Sequence, residues 1–276
     1  MDAQTLRANA FKALHERAGA FVIPNPWDAG SAKMLAGLGF EALATTSAGH
    51  AFSLGRPDAE GAVSLEDTLD NVRVIVGASS LPVAVDLENG FSDSPEGCAQ
   101  ALLLAAASGV VGGSIEDASG RADDPIYDFN LAVERIEACA AAVRSLPFPF
   151  ILTARAENLL HGRDDLPDTI RRLQAFAEAG ADVLYAPALR SAEEIVQVVR
   201  AVAPKPVNVL MSGGLNLSVA QLAELGVKRI SVGSALARAA YGAFYRAAED
   251  IREHGRFDFA DRAMPFRQIN QLFKQP

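Results

Sequence analysis

Cysteine, lysine and long apolar runs are scarce in this chain of 276 residues. The only two cysteines, Cys98 and Cys139, fall in alanine-rich stretches with a helical pattern. We therefore expect buried free thiols and neither a disulfide framework nor a zinc site. Half of the residues are hydrophobic, yet no uninterrupted apolar stretch approaches the roughly 20 residues that a membrane-spanning helix requires. A membrane partner is therefore not expected.

Positive charge is also in short supply. The formal net charge is −9, and no basic stripe is present to neutralise phosphates, so a nucleic-acid partner is not expected. The first seven residues lack the basic region and apolar core of a secretory signal, which predicts a cytoplasmic location. These absences leave an acidic protein whose expected partner is a small molecule.

Short apolar runs alternate with longer helical patterns along the whole chain, which is typical of a parallel β-sheet covered by helices. Eight such repeats are present. The predicted strands cover residues 20–24, 42–46, 82–86, 112–116, 150–154, 182–186, 207–210 and 229–232. The predicted helices cover residues 29–38, 65–79, 95–108, 131–145, 166–179, 192–203, 218–225 and 234–253.

Eight strand–helix units close most naturally into an α/β fold of the (β/α)8 TIM barrel type. A doubly wound open sheet is the alternative, but such sheets usually have fewer strands, and no Gly-x-Gly-x-x-Gly motif opens the first helix. We therefore predict a barrel domain over residues 1–255. Long loops at 47–64 and 117–130 follow the second and fourth strands, at the face where barrel enzymes carry their chemistry.

The tail over residues 256–276 carries apolar residues at roughly helical spacing, namely Met264, Phe266, Ile269, Leu272 and Phe273. Such a helix needs an apolar surface to cover, either on its own barrel or on another subunit. The sequence leaves both arrangements open.

Three acidic residues mark the ends of two consecutive predicted strands: Asp86 and Glu88 close one, and Glu116 closes the next. Side chains two apart on a strand point the same way, so Asp86 and Glu88 are expected to project together beside Glu116. Crowded carboxylates repel one another, and a bound divalent cation would keep them ionised. Hard oxygen ligands suit Mg²⁺ or Mn²⁺. Strand-end acids that merely face solvent are the alternative.

Arg155 is the one strong cation among the residues that end the predicted strands. It is expected either to form a structural ion pair with Glu116 or Glu157, or to bind a substrate carboxylate or a developing enolate oxygen. Lysine is absent from these positions, since Lys205 and Lys228 precede strands and belong to the opposite face. A Schiff-base aldolase is therefore not expected.

Other residues at the predicted mouth have two interpretations each. Ser47 with the backbone of Ala48 and Gly49 is a candidate donor nest for an anion, although such turns are common. Trp27 and Phe91 are candidate apolar walls of the site.

The loop histidines His50 and His161 are candidates for a general acid or base, or are exposed residues without such a role. The segments 212–214 and 233–234 resemble the phosphate-binding loops of many barrels, although a tight turn needs glycine for its own reasons.

Taken in order along most of the chain, the motifs resemble those of the isocitrate lyase and phosphoenolpyruvate mutase superfamily. The matching segments are Asn25-Pro26-Trp27-Asp28, Thr46-Ser47-Ala48-Gly49, Arg56-Pro57-Asp58, Asp86-Leu87-Glu88-Asn89-Gly90-Phe91, Ile115-Glu116-Asp117, Thr153-Ala154-Arg155 and Asn208. The resemblance implies an α/β barrel that binds Mg²⁺ and a 2-oxo acid or its enolate. It also implies cleavage or formation of a C–C or P–C bond beside that carbonyl.

By this resemblance, Asp86 and Glu88 correspond to the acids on the metal side, and Glu116 to an acid that holds metal-bound waters. Asp58 corresponds to an acid reaching toward the same waters, and Arg155 to the arginine on the substrate oxygens. The remaining substrate contacts that the resemblance implies are Ser47, Ala48 and Gly49 at the substrate carboxylate and Asn208 near the distal end of longer substrates. The resemblance further implies a homotetramer that exchanges its C-terminal helix.

The loop after the fourth strand departs from the family pattern. Isocitrate and methylisocitrate lyases carry there a cysteine whose thiol protonates the leaving enolate, and phosphonate-handling members carry a lysine and an asparagine. The segment from Ala118 to Tyr127 contains none of these, and Arg121 is its one basic residue.

The sequence therefore predicts a Mg²⁺-dependent lyase that acts on a small 2-oxo acid through an enolate. Because no thiol acid is evident, decarboxylation of a diacid such as oxaloacetate is favoured over aldol-type cleavage. Arg155, Asp58, Glu116 and Tyr127 are the predicted catalytic residues, with Tyr127 or solvent on Arg121 as the proton source. The alternatives are a retro-aldol lyase with another acid, a 2-oxoglutarate-like acid binding protein with little turnover, a P–C bond mutase or hydrolase, and a phosphate-binding barrel enzyme.

Overall fold

The computed structural model describes residues 2–58 and 61–274. Eight parallel strands form one sheet in the order β1-β8-β7-β6-β5-β4-β3-β2. They are β1 Phe21–Ile23, β2 Leu43–Ala44, β3 Val83–Asp86, β4 Gly112–Glu116, β5 Ile151–Arg155, β6 Val183–Tyr185, β7 Val207–Leu210 and β8 Arg229–Ser231.

The two outermost strands of that order, β1 and β2, meet and close the barrel. The Ala44 amide donates to the Pro24 carbonyl at 3.1 Å. The Asn25 side chain donates to the Thr45 carbonyl at 2.9 Å and accepts from the Gly233 amide at 2.9 Å. One side chain at the end of β1 therefore ties β2 and β8 together, and the predicted (β/α)8 TIM barrel is confirmed.

Helices alternate with the strands. They are α1 Ala3–Glu16, α2 Ala29–Gly37, α3 Ser47–Ser53, α4 Leu65–Ala78, α5 Pro95–Ala107, α6 Phe129–Arg144, α7 Leu166–Glu178, α8 Ala192–Val202, α9 Val219–Glu224, α10 Ala235–His254 and α11 Phe266–Lys274, with a 3₁₀ turn at Asp258–Arg262. Helices begin at side-chain caps such as Asp28, Ser64 and Ser94, which accept hydrogen bonds from first-turn amides. The predicted strands and helices match these bounds closely.

Two helices were not predicted. α1 precedes the first strand and places Phe11 and Leu14 under the barrel, where they pack with Phe21 and Ile151 in an apolar cluster. α3 occupies the start of the predicted loop 47–64, and its seven residues are too few for a helical period to stand out. Residues 59 and 60 of that loop lie outside the described residues.

The C-terminal tail forms a helix, and α11 lies against α2 of the same chain. The Lys33 Nζ donates to the Phe273 carbonyl at 3.4 Å. Large side chains of α10 and the tail stay exposed, including Phe244, Tyr245 and Phe266 at 72%, 66% and 84%. Exchange of the tail between subunits and the domain boundary at residue 255 stay predictions.

Cys98 and Cys139 are free and buried, as predicted. Within the described residues, no helix has the length and apolar character required to cross a membrane.

His15 lies in the apolar cluster beneath the barrel, with its ring edge-on to those of Phe11 and Phe21. Burial, reinforced by the charge of Arg229, lowers the pKa of His15 to about 3. The unfolded chain binds this proton near the ordinary pKa of about 6.5. The stability contributed by neutral His15 is therefore complete above about pH 6.5 and is lost between about pH 6.5 and 3.

We predict that the free energy of unfolding, measured by urea titration, falls below pH 6.5 by about 1.4 kcal/mol per pH unit from this group. His15→Phe should flatten that decline, because phenylalanine keeps the ring contacts and cannot take up a proton. His161→Gln, at an exposed histidine, is the matched control and should keep the wild-type slope. Equal slopes in wild type and His15→Phe would contradict this assignment.

Candidate active site

Three carboxylates from three segments surround the guanidinium of Arg155 at the end of β5. Nη1 lies 2.9 Å from Asp86 Oδ1, Nη2 lies 3.1 Å from Glu116 Oε2, and Nε lies 2.7 Å from Glu157 Oε1. Strand register explains the gathering, because Glu116 of β4 pairs with Arg155 of β5. The Arg155 side chain is only 12% exposed, so water screens these ion pairs weakly.

Asp86 connects this cluster to the second strand. Its Oδ2 accepts from the amide and hydroxyl of Ser47 at 3.2 and 3.1 Å. Its Oδ1 also accepts from the Ser114 hydroxyl at 3.3 Å. Ser114 is the β4 residue in register with Asp86. The carboxylate is therefore held from two sides before any ligand binds.

Glu88 does not share a strand face with Asp86, so the expected geometry of that pair is wrong. β3 ends at Asp86, and Glu88 has a φ of 49°, in the left-handed region. The Glu88 carbonyl instead accepts from the Glu116 amide at 3.0 Å. The Glu88 amide donates to Asp86 Oδ1 at 3.4 Å, and the charges of Asp86 and Asp58 act on the Glu88 carboxylate.

Negative charge exceeds positive charge at this end of the barrel. Burial, together with the charges of Asp86 and Asp58, raises the pKa of Glu88 to about 7. Burial raises the pKa of Glu116 as well, and Arg155 opposes that rise. Asp117 belongs to a separate buried pair, with its Oδ2 3.1 Å from Arg172 Nη1. Arg155 thus balances several acids at once, and a cation bound here would add positive charge beside them.

The donor set fits a hydrated divalent cation better than a bare one. Among residues 2–58 and 61–274, no three histidine, cysteine or acidic side chains are grouped so as to hold a metal directly. Arg155 lies between Asp86 and Glu116 and keeps them apart. Mg²⁺ commonly binds one or two carboxylates and keeps several waters. Asp86, Glu88 and Glu116 as metal-side residues therefore stay a prediction, with water as part of the ligand set.

A cavity of about 270 Å³ opens beside the cluster and runs into the barrel. Its walls include the predicted residues Ser47, Ala48, Asp58, Asp86, Arg155 and Asn208. Asn208 is buried, donates to the Ser231 hydroxyl at 2.9 Å and accepts from Arg229 Nε at 2.9 Å. The structure thus brings most of the predicted substrate and catalytic residues to one cavity.

Trp27 and Gly49 do not line this cavity. Two amides of the predicted anion-binding nest already donate hydrogen bonds within the protein. The Gly49 amide donates to Thr46 Oγ1 at 3.2 Å, while the Ser47 amide serves Asp86. A Cβ atom on Gly49 would lie 3.2 Å from the Trp27 Cβ and 2.6 Å from Thr46 Cγ2. Gly49 is therefore required for close packing of α3, with Trp27 behind that helix.

Tyr127 also lies outside the cavity walls. Its side chain is almost fully buried, its hydroxyl donates to Asp93, and Arg135 covers its ring at 4.3 Å. Burial and Asp93 raise the pKa of Tyr127 to about 12. Arg121 forms an exposed ion pair with Asp93 at 3.1 Å. These contacts fasten the loop after β4, and a proton-donor role for Tyr127 stays a prediction.

A second cavity of about 650 Å³ lies on the other side of the carboxylates. Glu88, Glu116, Phe91 and His161 line it together with the loop after β4. His50 is instead buried in α3. Glu88 and Glu116 therefore face the cavity beside the loop, whereas Asp86 and Arg155 face the cavity that runs into the barrel.

Sequence reasoning missed the polar residues that point into the barrel below the strand ends. Arg229 and Ser231 of β8 both line the first cavity, next to Thr153 of β5, which the sequence motif had included. The alternation of Arg229, Ile230 and Ser231 was the available signal, since residues two apart on a strand share a face. The missed residues make the interior of this barrel polar.

Comparison with known proteins places this geometry in a family context. The family described as phosphoenolpyruvate phosphomutase matches residues 11–252. An uncharacterised protein of Mycobacterium tuberculosis is 31% identical over 265 residues, which covers 94% of each chain.

Among solved structures, a proposed lyase/mutase from Burkholderia cenocepacia is 58% identical with a TM-score of 0.97, covering 100% of this chain and 98% of the other. A structure of oxaloacetate acetylhydrolase in complex with its product oxalate is 28% identical with a TM-score of 0.87. It covers 97% of this chain and 94% of that one.

The barrel, with its carboxylate cluster at the carboxyl ends of the strands, defines a TIM-barrel enzyme of the C–C lyase and mutase type. The chain belongs to the phosphoenolpyruvate mutase/isocitrate lyase superfamily.

The three ion pairs of Arg155 generate a prediction about stability. Arg155→Met leaves Asp86, Glu116 and Glu157 without their shared counter-charge, and loss of one partner from a buried pair costs about 3–5 kcal/mol. Urea unfolding of the protein at pH 7.5 should show a loss of that size. Arg190→Met is the control, because it removes an exposed pair with Asp164 at 2.7 Å that is worth about 0–1 kcal/mol. Similar small losses in both variants would contradict the central position of Arg155.

Proposed function

We propose that this protein is a Mg²⁺-dependent lyase that acts on a small 2-oxo acid through an enolate. The favoured reaction is C–C cleavage or decarboxylation of a four-carbon diacid such as oxaloacetate. The observation that carries this proposal is the position of Arg155 and Asp86 at the wall of one small cavity, with Glu116 paired to Arg155 beside it. That arrangement combines excess negative charge for a cation with fixed N–H donors for substrate oxygens.

In this proposal, each residue of the site has a role that follows from its position. A divalent cation beside Asp86 would supply Lewis acidity that stabilises negative charge on the substrate oxygens. Arg155 donates N–H groups to the same oxygens, and its fixed planar fork suits a carboxylate or an enolate. Ser47 and Ser114 fix the orientation of Asp86 in advance, so binding need not reorganise that carboxylate.

The source of the final proton distinguishes this chain from lyases that carry a loop cysteine. Cys98 and Cys139 are buried between α5 and α6, with their Sγ atoms 3.3 Å apart, and neither lines the cavity. Tyr185 lines the cavity and lies against Arg155, whose guanidinium carbon is 5.0 Å from the ring centroid. Burial raises the pKa of Tyr185, so its hydroxyl keeps its proton at neutral pH. Tyr185 or cavity water is therefore better placed than Tyr127 to protonate the enolate.

The structural relatives favour an oxaloacetate-like substrate. Oxaloacetate acetylhydrolase was crystallised with its product oxalate. The similar backbone of this barrel supports a C–C bond reaction on a related diacid. P–C chemistry is less supported, because the loop after β4 lacks the lysine and asparagine expected for contact with a phosphonyl group.

We also propose that the protein is a homotetramer in the cytoplasm. The exposed aromatic side chains of α10 and the tail, such as Phe244 and Phe266, support burial against another subunit. A monomer in solution would contradict this part of the proposal.

The activity test is incubation of the purified protein with oxaloacetate, with and without Mg²⁺. Pyruvate and oxalate are separated by chromatography and corrected for the spontaneous, metal-promoted decay of oxaloacetate. We expect product above that background only with metal. Asp86→Asn should lower kcat at least about 100-fold, because it removes a charge that acts at the reacting centre.

Asp70→Asn is the matched control, because Asp70 forms an exposed ion pair with Arg73, and it should retain full activity. Binding of oxalate without product from any small 2-oxo diacid would contradict the lyase assignment and favour the binding-protein alternative. Activity that is unchanged in Asp86→Asn would contradict the proposed site.

A further inference from the structure

Arg229 lies inside the barrel, at the start of β8. The residue is only 6% exposed, and it lines the same cavity as Arg155. Its Nε donates to Asn208 Oδ1 and its Nη2 to Thr153 Oγ1, both at 2.9 Å. Both partners are neutral, so these hydrogen bonds orient the guanidinium without balancing its charge.

No acidic side chain within residues 2–58 and 61–274 forms an ion pair with Arg229. Its Nη1 makes no hydrogen bond to any residue in those ranges. Arg155, whose side chain is also largely buried, has three carboxylate partners. An unpaired buried charge is costly, and proteins rarely keep one without a use or a counter-ion.

The charge of Arg229 affects its surroundings. Burial lowers the pKa of Arg229 itself to about 10, with only the Tyr185 hydroxyl opposing that change. Its charge also contributes to the lowered pKa of His15 beneath the barrel floor. The floor of the cavity therefore carries positive charge, while the mouth carries negative charge.

The space beside Arg229 is polar and is not filled by large side chains. Ser231, Thr153 and Tyr185 offer hydroxyl groups to the cavity. Small residues such as Ala44 and Ala84 line the same space at positions where many barrels place bulky branched side chains. A ligand group can therefore reach the guanidinium from the cavity.

We propose that Arg229 binds the second carboxylate of the substrate at the floor of the cavity, while the 2-oxo acid end of the same molecule lies at Arg155. This inference deepens the proposed function and rests on it. It makes Arg229 a specificity-determining residue that selects diacids over monoacids.

The two arginines lie at different depths of the cavity. Arg229 bonds to Thr153, which lies two residues before Arg155 on β5. Two residues of strand advance about 6.6 Å along the strand. A diacid offers one carboxylate at each of these two depths. A monoacid such as 2-oxobutyrate can reach only one of the two arginines.

The test is a comparison of binding by calorimetry with 2-oxoglutarate, which has two carboxylates, and 2-oxobutyrate, which has one. Wild type in the presence of Mg²⁺ should bind 2-oxoglutarate at least about 30-fold more tightly. Arg229→Met should remove most of that preference while changing the dissociation constant of 2-oxobutyrate less than about threefold. Arg229→Lys, which keeps a charge, should retain part of the preference.

Arg200→Met, at an exposed arginine of α8, is the matched control and should bind both acids as wild type does. Equal binding of the two acids by the wild-type protein would overturn the proposal. This measurement does not depend on the folding of any variant. Equal weakening of both acids in Arg229→Met would also overturn it, because it would indicate a structural role.

Measurements of binding and of turnover distinguish a failure of this inference from a failure of the proposed function. A diacid preference that depends on Arg229, with no product from oxaloacetate, would support the carboxylate subsite and contradict the lyase. Turnover of oxaloacetate with the same KM in Arg229→Met and wild type would support the lyase and contradict the subsite.

Discussion

The ion pairs of Arg155 with Asp86, Glu116 and Glu157 are the interaction on which the candidate site depends. They join three segments at the carboxyl ends of β3, β4 and β5, in a place that water screens poorly. One guanidinium cannot neutralise three carboxylates, so the cluster keeps negative charge after Arg155 is counted. That residual negative charge favours binding of a divalent cation. A substrate oxygen in this place would contact both the cation and Arg155.

The second feature on which the candidate site depends is the polar interior of the barrel. Barrel interiors are ordinarily filled by layers of branched apolar side chains, whereas here a cavity extends from the cluster down to Arg229. The acid-rich mouth and the arginine at the floor give the cavity opposite charge at its two ends. A molecule with a metal-binding 2-oxo carboxylate at one end and a carboxylate at the other complements both ends.

Much of the fold and part of the site followed from the sequence. The alternation of apolar runs and helical patterns predicted eight strands within a residue or two, and the rule that barrel chemistry lies at strand ends led to Asp86, Glu116 and Arg155. The left-handed backbone of Glu88 was missed because a turn at φ 49° leaves no mark in strand alternation. Arg229 was missed because attention to strand ends overlooks a charged residue at a strand start. Tyr127 is buried in contact with Asp93 and Arg135. The local sequence around Tyr127 does not show these contacts, so its burial was not predicted.

The most direct test of the central claim is a crystal structure of the protein grown with Mn²⁺ and oxalate, with data collected at the manganese absorption edge. We predict one strong anomalous peak within coordination distance of an Asp86 oxygen or of a water held by Glu88 or Glu116, with oxalate between that ion and Arg155. A cavity that holds oxalate without manganese, or manganese bound away from Asp86, Glu88 and Glu116, would contradict it.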